Sequence, residues 1–222
     1  TPMPEAAKNL VVLNVNQVEE VAAQVDFVFS AVDMSKDEIR AIEEAYAKAE
    51  VPVVSNNSAH RWTPDVPMMV PELNPEHAEI IPYQRKRLGT KRGFIAVKPN
   101  CSIQSYTPAL HALREFEPTL VVATTYQAIS GAGKTFKDWP EMIDNVIPYI
   151  AGEEEKSEQE PLRIWGKIED GVIKKAEGPL ITTQCIRVPV EDGHTAAVFV
   201  NFKKKPTKEE IIDRWNNFSG EP

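Results

Sequence analysis

The residue best suited to covalent chemistry in this sequence of 222 residues is Cys101, in the stretch KPNCSIQSY at residues 98–106. It follows the apolar run GFIAV, which is typical of a strand, and precedes a stretch with helical spacing. Unpaired N–H groups and the macrodipole at a helix N-terminus favour a thiolate, the nucleophilic form of cysteine. Cys101 is therefore a candidate nucleophile, whereas Cys185, inside the apolar run TTQCIRVPV, is expected to be inert.

A nucleophilic thiol needs a base, and the sequence offers four histidines. His194 follows the turn EDG and begins an apolar run, so its imidazole is placed to project from a sheet into a cleft. His77 and His111 lie in a predicted loop and a predicted helix, where we expect structural roles. The residues around His60 do not distinguish a structural role from a catalytic one. The residue pattern alone leaves a structural role open for His194 as well, so its pairing with Cys101 is a hypothesis.

The first hundred residues have the pattern of a βαβ unit. Strands are predicted at NLVVLNV, VDFVFSAV and VPVVSNN, with a further strand at FIAV. Between the second and third strands, Ser35 and Glu38 form a capping-box pattern at the start of a predicted helix. Strand, helix and strand of these lengths predict a parallel sheet. The first glycine of the chain is Gly89, so no glycine-rich phosphate turn precedes NLVVLNV.

After Cys101 the pattern changes to mixed α+β, and a domain boundary is predicted near residue 100. A helix is expected through SIQSYTPALHALREF, then the strand LVVATTYQAI, the turn SGAGK and a helix over PEMIDNVIPYIAG. The runs LITTQCIRVPV and HTAAVFVNF are separated by EDG, and Asp-Gly between such runs predicts a hairpin. A last helix is expected after Thr207, with Glu210 completing its capping box.

Composition limits the classes of partner. A formal net charge of −8 argues against nucleic acid, and no apolar run approaches the ~20 residues that a membrane span needs. The basic stretch QRKRLGTKR is expected to be a solvated loop, with a polyanion site as the alternative. Two cysteines without zinc spacing indicate no metal site and a reducing cytoplasm. The turn SGAGKT is no phosphate loop, because Ala128 stands where that motif requires glycine.

Taken together, five motifs resemble the aspartate-β-semialdehyde dehydrogenase family. VVSNNSAHR, KPNCSIQ, TYQAISGAGK, NVIPYIAGEEEK and CIRVPVEDGH occur in the family's order and at about its spacings, and the middle of the chain is similar to the fungal and archaeal branch. N-acetylglutamyl-phosphate reductase and an archaeal malonyl-CoA reductase share the thiol and the plan. The resemblance covers roughly the central two-thirds of such an enzyme, without its N-terminal glycine-rich turn and its C-terminal segment.

The resemblance implies an α/β fold: the remainder of an NADP-binding Rossmann-like domain at 1–100 and a catalytic and dimerisation domain at 101–222. The implied reaction interconverts aspartyl phosphate and NADPH with the semialdehyde, NADP and inorganic phosphate, in the biosynthesis of Lys, Thr, Met and Ile. Cys101 would form a thioester, His194 would be the acid–base residue, and Gln127 would orient the reacting group. The family also implies a homodimer or homotetramer.

Further residues match the family's substrate positions. Arg187 would bind the substrate α-carboxylate through its planar guanidinium, on the face of its strand opposite Ile186 and Val188. The resemblance also implies Glu153 for the substrate ammonium, Lys156 for phosphate, and Arg61 with Asn100 in the phosphate subsite. The positions that match the NADP site are Ser30, Ala31, Asn57, Ser58, Ser130, Gly131 and Gly133. The run GEEEKSEQE is open to interpretation as a solvated acidic face, and the register among its glutamates is also open.

Other functions remain compatible with these residues. The chain could be a non-catalytic fragment or scaffold that keeps the thiol without holding a dinucleotide. It could also be a thiol hydrolase or acyl transferase that uses Cys101 and His194 without a redox cofactor. Within the resemblance itself, the shared motifs leave malonyl-CoA open as the substrate.

Overall fold

The first sheet is parallel, as the sequence predicts. A computed structural model describes residues 3–220 of the protein. Its first sheet has the order β1 (Val28–Ser30), β2 (Val53–Ser55) and β3 (Ile95–Val97), and both pairings are parallel. Helix α2 (Lys36–Lys48) connects β1 to β2 and completes the βαβ unit. The carboxyl ends of all three strands therefore meet at one edge of this sheet.

Helix α2 begins where its capping residues predict. The Ser35 hydroxyl accepts a hydrogen bond from the Glu38 backbone, and the Glu38 carboxylate accepts one from the Ser35 backbone. These two bonds satisfy N–H groups that the first turn leaves without a helical partner. The buried face of the helix carries Ile39, Tyr46 and Ala47, but also Glu43, whose carboxylate is enclosed.

The second sheet carries the longest strands. Its order is β7 (Leu180–Arg187), β4 (Pro118–Gln127) and β8 (His194–Phe202), so β4 is the central strand. Strand β4 is parallel to β7 and antiparallel to β8. Its buried positions alternate from Val121 to Gln127, which places one face on the core.

The predicted hairpin between β7 and β8 is wrong. These strands do not pair with each other, because β4 lies between them. The connection at residues 188–193 must cross the end of β4 between strands roughly 10 Å apart, a distance that a two-residue Asp-Gly turn does not span. It packs on the turn that follows β4, where Ile129 N donates to Val190 O and Ser130 N donates to Glu191 O.

Five further helices and a small hairpin complete the described residues. They are α1 (Val18–Ala22), α3 (Ile81–Leu88), α4 (Thr107–His111), α5 (Glu153–Ile164) and α6 (Lys208–Asn217), with β5 (Lys167–Glu169) antiparallel to β6 (Val172–Lys174). The capping box of Thr207 and Glu210 is confirmed at the start of α6. Part of the predicted basic loop is helical, since α3 covers residues 81–88, and Arg87 is paired with Asp65 rather than left in solvent.

Three predicted elements differ from the structure. NLVVLNV forms no strand in the described part of the chain, and residues 10–12 are exposed without a strand beside them. The helix expected over PEMIDNVIPYIAG is a single 3-10 turn, because Asp144 is left-handed and Ile147 exchanges backbone hydrogen bonds with Arg187. The long helix after Cys101 is interrupted before Pro108, whose ring removes the N–H that a continuous helix would need.

One hydrophobic cluster joins the two sheets. Val53 and Ile95 of the first sheet and Val121 and Ile181 of the second belong to it, together with Ile103, which follows Cys101 closely. The segment that carries the thiol is thus anchored on the shared core, and the domain boundary near residue 100 stays a prediction. Within residues 3–220, no helix is both long and apolar enough to cross a membrane.

Candidate active site

The thiol and the imidazole singled out in the sequence are in contact. Cys101 Sγ lies 3.3 Å from His194 Nε2, across 93 residues of chain. Cys101 is exposed to solvent, whereas Cys185 is completely buried on the inner face of β7. The structure therefore brings together the predicted nucleophile and its predicted partner, and it leaves the second cysteine inaccessible.

The backbone fixes which nitrogen of His194 carries the proton. The Ala128 N–H donates to His194 Nδ1 at an N···N distance of 3.1 Å, so Nδ1 must be an acceptor. The proton of the neutral ring then sits on Nε2, the nitrogen that faces Cys101 Sγ. The imidazole consequently offers an N–H to the sulfur, and a donor in this position stabilises a thiolate.

The helix-terminus argument for Cys101 needs correction. The sequence predicts a long helix behind the thiol, but Cys101 caps a single 3-10 turn, Ser102–Ser105. A macrodipole needs several aligned peptide units, so this short turn contributes less than the predicted helix would. The His194 N–H is the nearer source of stabilisation for negative charge on the sulfur.

One row of register partners crosses the second sheet and consists of Gln127, Arg187 and His194. Gln127 ends the central strand, and its register partners are Arg187 on β7 and His194 on β8. The Gln127 side chain is 1% exposed, and its Nε2 donates to Thr125 Oγ1 at 3.2 Å. Three side chains from distant parts of the sequence thus reach the same end of the same sheet, beside the thiol.

Arg187 faces away from Ile186 and Val188, as alternation along the strand predicts. Its side is the buried face of β7, which it shares with Cys185, whereas Ile186 and Val188 are only half-buried. Arg187 Nη1 donates to Ala128 O at 2.7 Å, which fixes the plane of the guanidinium. Burial lowers the pKa of Arg187, and the negative charge of Glu153 opposes this effect.

The pair of Glu153 and Lys156 at the start of α5 is confirmed as a contact. Lys156 Nζ lies 2.7 Å from Glu153 Oε1, and Asn100 Nδ2 donates to Glu153 Oε2 at 2.9 Å. Burial alone would raise the pKa of Glu153, but the hydrogen bonds from Lys156 and Asn100 outweigh it and lower this pKa. Of the neighbouring glutamates, Glu154 faces the backbone of β7 and Glu155 is exposed at the cavity that Lys156 lines, and the assignment of Glu153 stays a prediction.

Asn100 and Arg61 are both buried on the other side of the thiol. Asn100 Oδ1 accepts hydrogen bonds from the backbone and the hydroxyl of Ser102, at 2.8 and 2.6 Å. Arg61 forms an ion pair with Glu160 at 3.0 Å and lines a cavity of about 300 Å³ together with Lys156. The assignment of Asn100 and Arg61 to a phosphate subsite stays a prediction, supported by the cationic side chains of Arg61, Lys156 and Lys36 at this cavity.

Four predicted nucleotide residues lie beyond the carboxyl ends of β1 and β2. Ser30 ends β1, Ala31 follows it in an exposed position, and Asn57 with Ser58 come directly after β2. Asn57 Nδ2 donates to Ser30 Oγ at 3.2 Å and to Glu43 Oε1 at 3.3 Å. Parallel sheets bind dinucleotides at this edge, and the polar groups present there fit such a ligand.

The other three predicted nucleotide residues lie in the turn after β4. Ser130 and Gly131 line a cavity of about 490 Å³ with Cys101 and His194, and Gly133 ends the turn with a left-handed φ of 66°. A Cβ on Gly131 would lie 2.9 Å from Arg187 Nη1 and 3.0 Å from His194 Cε1. The absence of a side chain at Gly131 therefore leaves room for the Arg187 guanidinium and the His194 imidazole.

Sequence reasoning missed two buried carboxylates near this site. Glu43 accepts hydrogen bonds from Ser55 and Asn57 under the nucleotide edge, and Glu160 accepts bonds from Arg61 and the Asn100 backbone. Burial raises the pKa of Glu160, against the opposing charge of Arg61. A sequence signal existed, since each glutamate occurs at helical spacing within the buried face of an amphipathic helix.

The remaining histidines have structural partners. His77 Nε2 lies 3.0 Å from Gly166 O, and Trp165 Nε1 donates to His111 Nδ1 at 3.2 Å. His60, which the sequence left undecided, is buried with Nδ1 3.0 Å from the hydroxyl of Thr63. His194 is thus the histidine that contacts the thiol.

Two family models match the chain. Residues 1–81 match "Semialdehyde dehydrogenase, NAD binding domain", and residues 109–222 match "Semialdehyde dehydrogenase, dimerisation domain". The aspartate-semialdehyde dehydrogenase of Methanothermobacter thermautotrophicus is 37% identical over 99% of this chain and 62% of its own length. The enzyme of the same name from Cryptococcus neoformans is 39% identical over 93% of this chain and 58% of its own length.

Solved structures give the same result. The crystal structure of aspartate semialdehyde dehydrogenase with NADP from Candida albicans has a TM-score of 0.83 and 33% identity, and the match covers 96% of this chain and 61% of that one. Aspartate semialdehyde dehydrogenase II from Vibrio cholerae has a TM-score of 0.68 and 25% identity, over 89% of this chain and 62% of that one. The chain spans about three-fifths of the length of these relatives. The resemblance that the five motifs predict is confirmed, and the chain belongs to the semialdehyde dehydrogenase family.

Proposed function

We propose that this chain carries the catalytic residues of an NADP-dependent phosphorylating dehydrogenase. Its reaction would interconvert L-aspartyl 4-phosphate and L-aspartate 4-semialdehyde through a thioester on Cys101. The observation that carries the proposal is the 3.3 Å contact between Cys101 Sγ and His194 Nε2, with Arg187 and Glu153 beside it. The names of the relatives support the substrate, and the Candida albicans structure with NADP supports the cofactor.

The charged side chains fit a small amino-acid substrate. The Arg187 guanidinium, held by its bond to Ala128 O, would bind the α-carboxylate in two-pronged fashion. Glu153 would bind the α-ammonium, because its lowered pKa keeps the carboxylate charged at neutral pH. Lys156, with Asn100 and Arg61, would bind the phosphate at the edge of the 300 Å³ cavity.

In the reducing direction, the Cys101 thiolate attacks the acyl carbon, a C–S bond forms, and the C–O bond to phosphate breaks. Phosphate leaves with its electron pair toward Lys156, and Gln127 orients the acyl group. The nicotinamide cofactor, when bound, supplies a hydride to the acyl carbon. The His194 Nε2–H donates a hydrogen bond to the substrate oxygen as negative charge develops there, and that oxygen reforms its double bond to carbon when the C–S bond breaks. The thiolate is then regenerated and the semialdehyde is released.

Two groups of residues would hold the cofactor. Ser30, Ala31, Asn57 and Ser58 lie at the carboxyl edge of the parallel sheet, where a phosphate or ribose finds hydroxyl and amide donors. In the turn after β4, Ser130, Gly131 and Gly133 would bind the nicotinamide end beside Cys101.

The proposed setting is the cytoplasmic biosynthesis of Lys, Thr, Met and Ile, in a homodimer or homotetramer. The outward face of the second sheet supports an oligomer, since Val122, Tyr126 and Phe199 are exposed there on strands β4 and β8. Exposed apolar and aromatic side chains on one sheet face are typical of subunit interfaces.

A coupled measurement tests the reaction. The protein is mixed with the semialdehyde, inorganic phosphate and NADP, and the absorbance of reduced nicotinamide is followed. We expect NADPH formation that requires phosphate and is abolished in Cys101→Ala. Turnover without phosphate, or turnover in Cys101→Ala, would contradict the proposal. Thioester hydrolysis without any redox signal would favour a hydrolase. NADPH oxidation when malonyl-CoA is the only substrate added would identify malonyl-CoA, rather than aspartyl phosphate, as the substrate.

A further inference from the structure

A completely buried carboxylate lies directly behind the thiol-bearing turn. Glu160, on α5, is 0% exposed. Its Oε2 accepts a hydrogen bond from the backbone N–H of Asn100 at 2.5 Å, and Asn100 precedes Cys101 in the chain. Burying an ionised carboxylate is costly unless it is paired, so a strong local interaction must hold it there.

That interaction is the ion pair with Arg61, and it reaches the same turn from a second direction. Glu160 Oε1 accepts from Arg61 Nη1 at 3.0 Å, and Arg61 Nε donates to the carbonyl of Lys98 at 3.0 Å. Both side chains are buried. The pair therefore binds the carbonyl of residue 98 and the amide of residue 100, on either side of Pro99, which has no N–H of its own.

No sheet ladder fixes these two backbone groups, since β3 ends at Val97. The Lys98 amide still donates to Ser55 O at 2.8 Å, which continues the direction of the strand. From the Lys98 carbonyl to the Asn100 amide, the backbone is held by hydrogen bonds from side chains. Only one peptide unit, that between Asn100 and Cys101, separates the backbone held by the ion pair from the residue that carries Sγ. The position of Cys101 Sγ relative to His194 Nε2 consequently depends on the ion pair.

We infer that Glu160 is a positioning residue for the nucleophile: with Arg61 it clamps the turn at residues 98–100 so that Cys101 Sγ meets His194. The inference rests on the proposed role of Cys101 as the reacting group. Glu160 does not line the cavity at Cys101 Sγ; it lies at the neighbouring 300 Å³ cavity with Arg61 and acts on the nucleophile through the Asn100 amide. A displacement of about 1 Å at a reacting atom costs roughly 100-fold in rate, so a loosened turn should be easy to detect.

The alternative is that the ion pair of Arg61 and Glu160 only stabilises the fold. Replacing both residues with apolar ones distinguishes this structural role from the positioning of Cys101. Removing one partner of a buried ion pair destabilises a protein, but replacing both with apolar residues of similar volume is often neutral. In Arg61→Met/Glu160→Leu the stability should recover, yet neither the Lys98 carbonyl nor the Asn100 amide regains a partner. Glu158→Gln is the matched control, because Glu158 on the same helix also accepts a backbone N–H, from Thr183 at 3.1 Å.

The readout is the rate of Cys101 alkylation by iodoacetamide, measured on the Cys101 peptide by mass spectrometry and requiring no cofactor. Buried Cys185 reports unfolding in the same sample, since it should stay unlabelled in folded protein. We expect a loss of at least tenfold in Glu160→Gln and in the double variant, and a change below twofold in Glu158→Gln. In turnover, kcat of Glu160→Gln should fall by a similar factor while its KM for the semialdehyde changes less than twofold; the double variant also lacks Arg61 of the proposed phosphate subsite, so it is compared by alkylation and melting temperature only.

Two results would overturn the inference. One is a wild-type alkylation rate in Glu160→Gln. The other is a double variant that regains both the melting temperature and the alkylation rate of the wild type, which would make the pair purely structural. If Glu160→Gln does not fold, the double variant decides alone. Turnover that survives in Cys101→Ala would instead remove the proposed function, whatever the Glu160 variants do.

Discussion

Replacing Gly131 with alanine should separate catalysis from stability. The added Cβ would lie 2.9 Å from Arg187 Nη1, 3.0 Å from His194 Cε1 and 3.1 Å from His194 Nε2. Ordinary contacts to a Cβ begin near 3.4 Å, so one or both side chains must move by a few tenths of an ångström. The Arg187 guanidinium is the far end of a flexible side chain, so it can give way while the backbone stays in place.

The expected magnitude follows from that displacement. Since a misplacement of about 1 Å costs roughly 100-fold in rate, a shift of about half that size should cost roughly tenfold in kcat. Gly131 lies in a 3-10 turn without a left-handed φ, so alanine is tolerated there, and its smaller unfolded-state entropy stabilises the protein by about 0.4–1 kcal/mol. The melting temperature should therefore stay the same or rise while activity falls.

The assay compares kcat, Cys101 alkylation and thermal unfolding in Gly131→Ala and in a control, Gly89→Ala. Gly89 ends α3 with a φ of 75° and has no atom within 4 Å of its virtual Cβ. There alanine should lower stability by about 1 kcal/mol through its strained φ and leave kcat unchanged. Wild-type kcat in Gly131→Ala, or a fall in stability that accounts for its lost activity, would refute the reasoning.

Three further variants test other parts of the site and fold. Cys101→Ser should keep the wild-type melting temperature and lose nearly all turnover, since an alkoxide is unavailable near neutral pH; measurable turnover at the wild-type rate would exclude a covalent mechanism. Arg187→Lys should raise the KM for the semialdehyde at least tenfold, because one ammonium cannot reproduce a two-pronged contact; an unchanged KM would remove Arg187 from substrate binding. Backbone N–H groups of Arg92, Gly93 and Lys91 lower the pKa of Glu50 to about 2. Its stabilising effect is therefore fully present above pH 4.5 and lost as the pH falls toward 2, so the melting temperatures of wild type and Glu50→Gln should converge in that window; a pH-independent difference would contradict this assignment.

Local signals in the sequence predicted the local structure well. The capping boxes at Ser35 and Thr207 mark the starts of α2 and α6, and the β-branched runs around Val53 and Val121 are strands. These features depend only on residues that are neighbours in the chain, so the sequence alone contains the information needed to predict them. The contact between Cys101 and His194 was predictable because the motifs around both residues resemble a family in which they act together.

Features that depend on distant partners were not predictable. Nothing between β7 and β8 shows that β4 lies between them, so the hairpin prediction failed. Alternation along β7 predicts that Arg187 faces away from Ile186, but not which of the two faces is covered, so the burial of Arg187 was not predictable. The role of Glu160 depends on a partner 99 residues away, Arg61, and a run of acidic residues gives no sign of it.

The row formed by Gln127, Arg187 and His194 has a consequence for folding. Each of the three residues belongs to a different strand, and they become neighbours only when the central strand has found its correct register on both sides. A slip of a single residue on one side would turn that strand's reactive side chain away from the other two. A partly assembled chain would therefore be inert toward substrate, and the onset of activity during refolding should coincide with completion of this sheet.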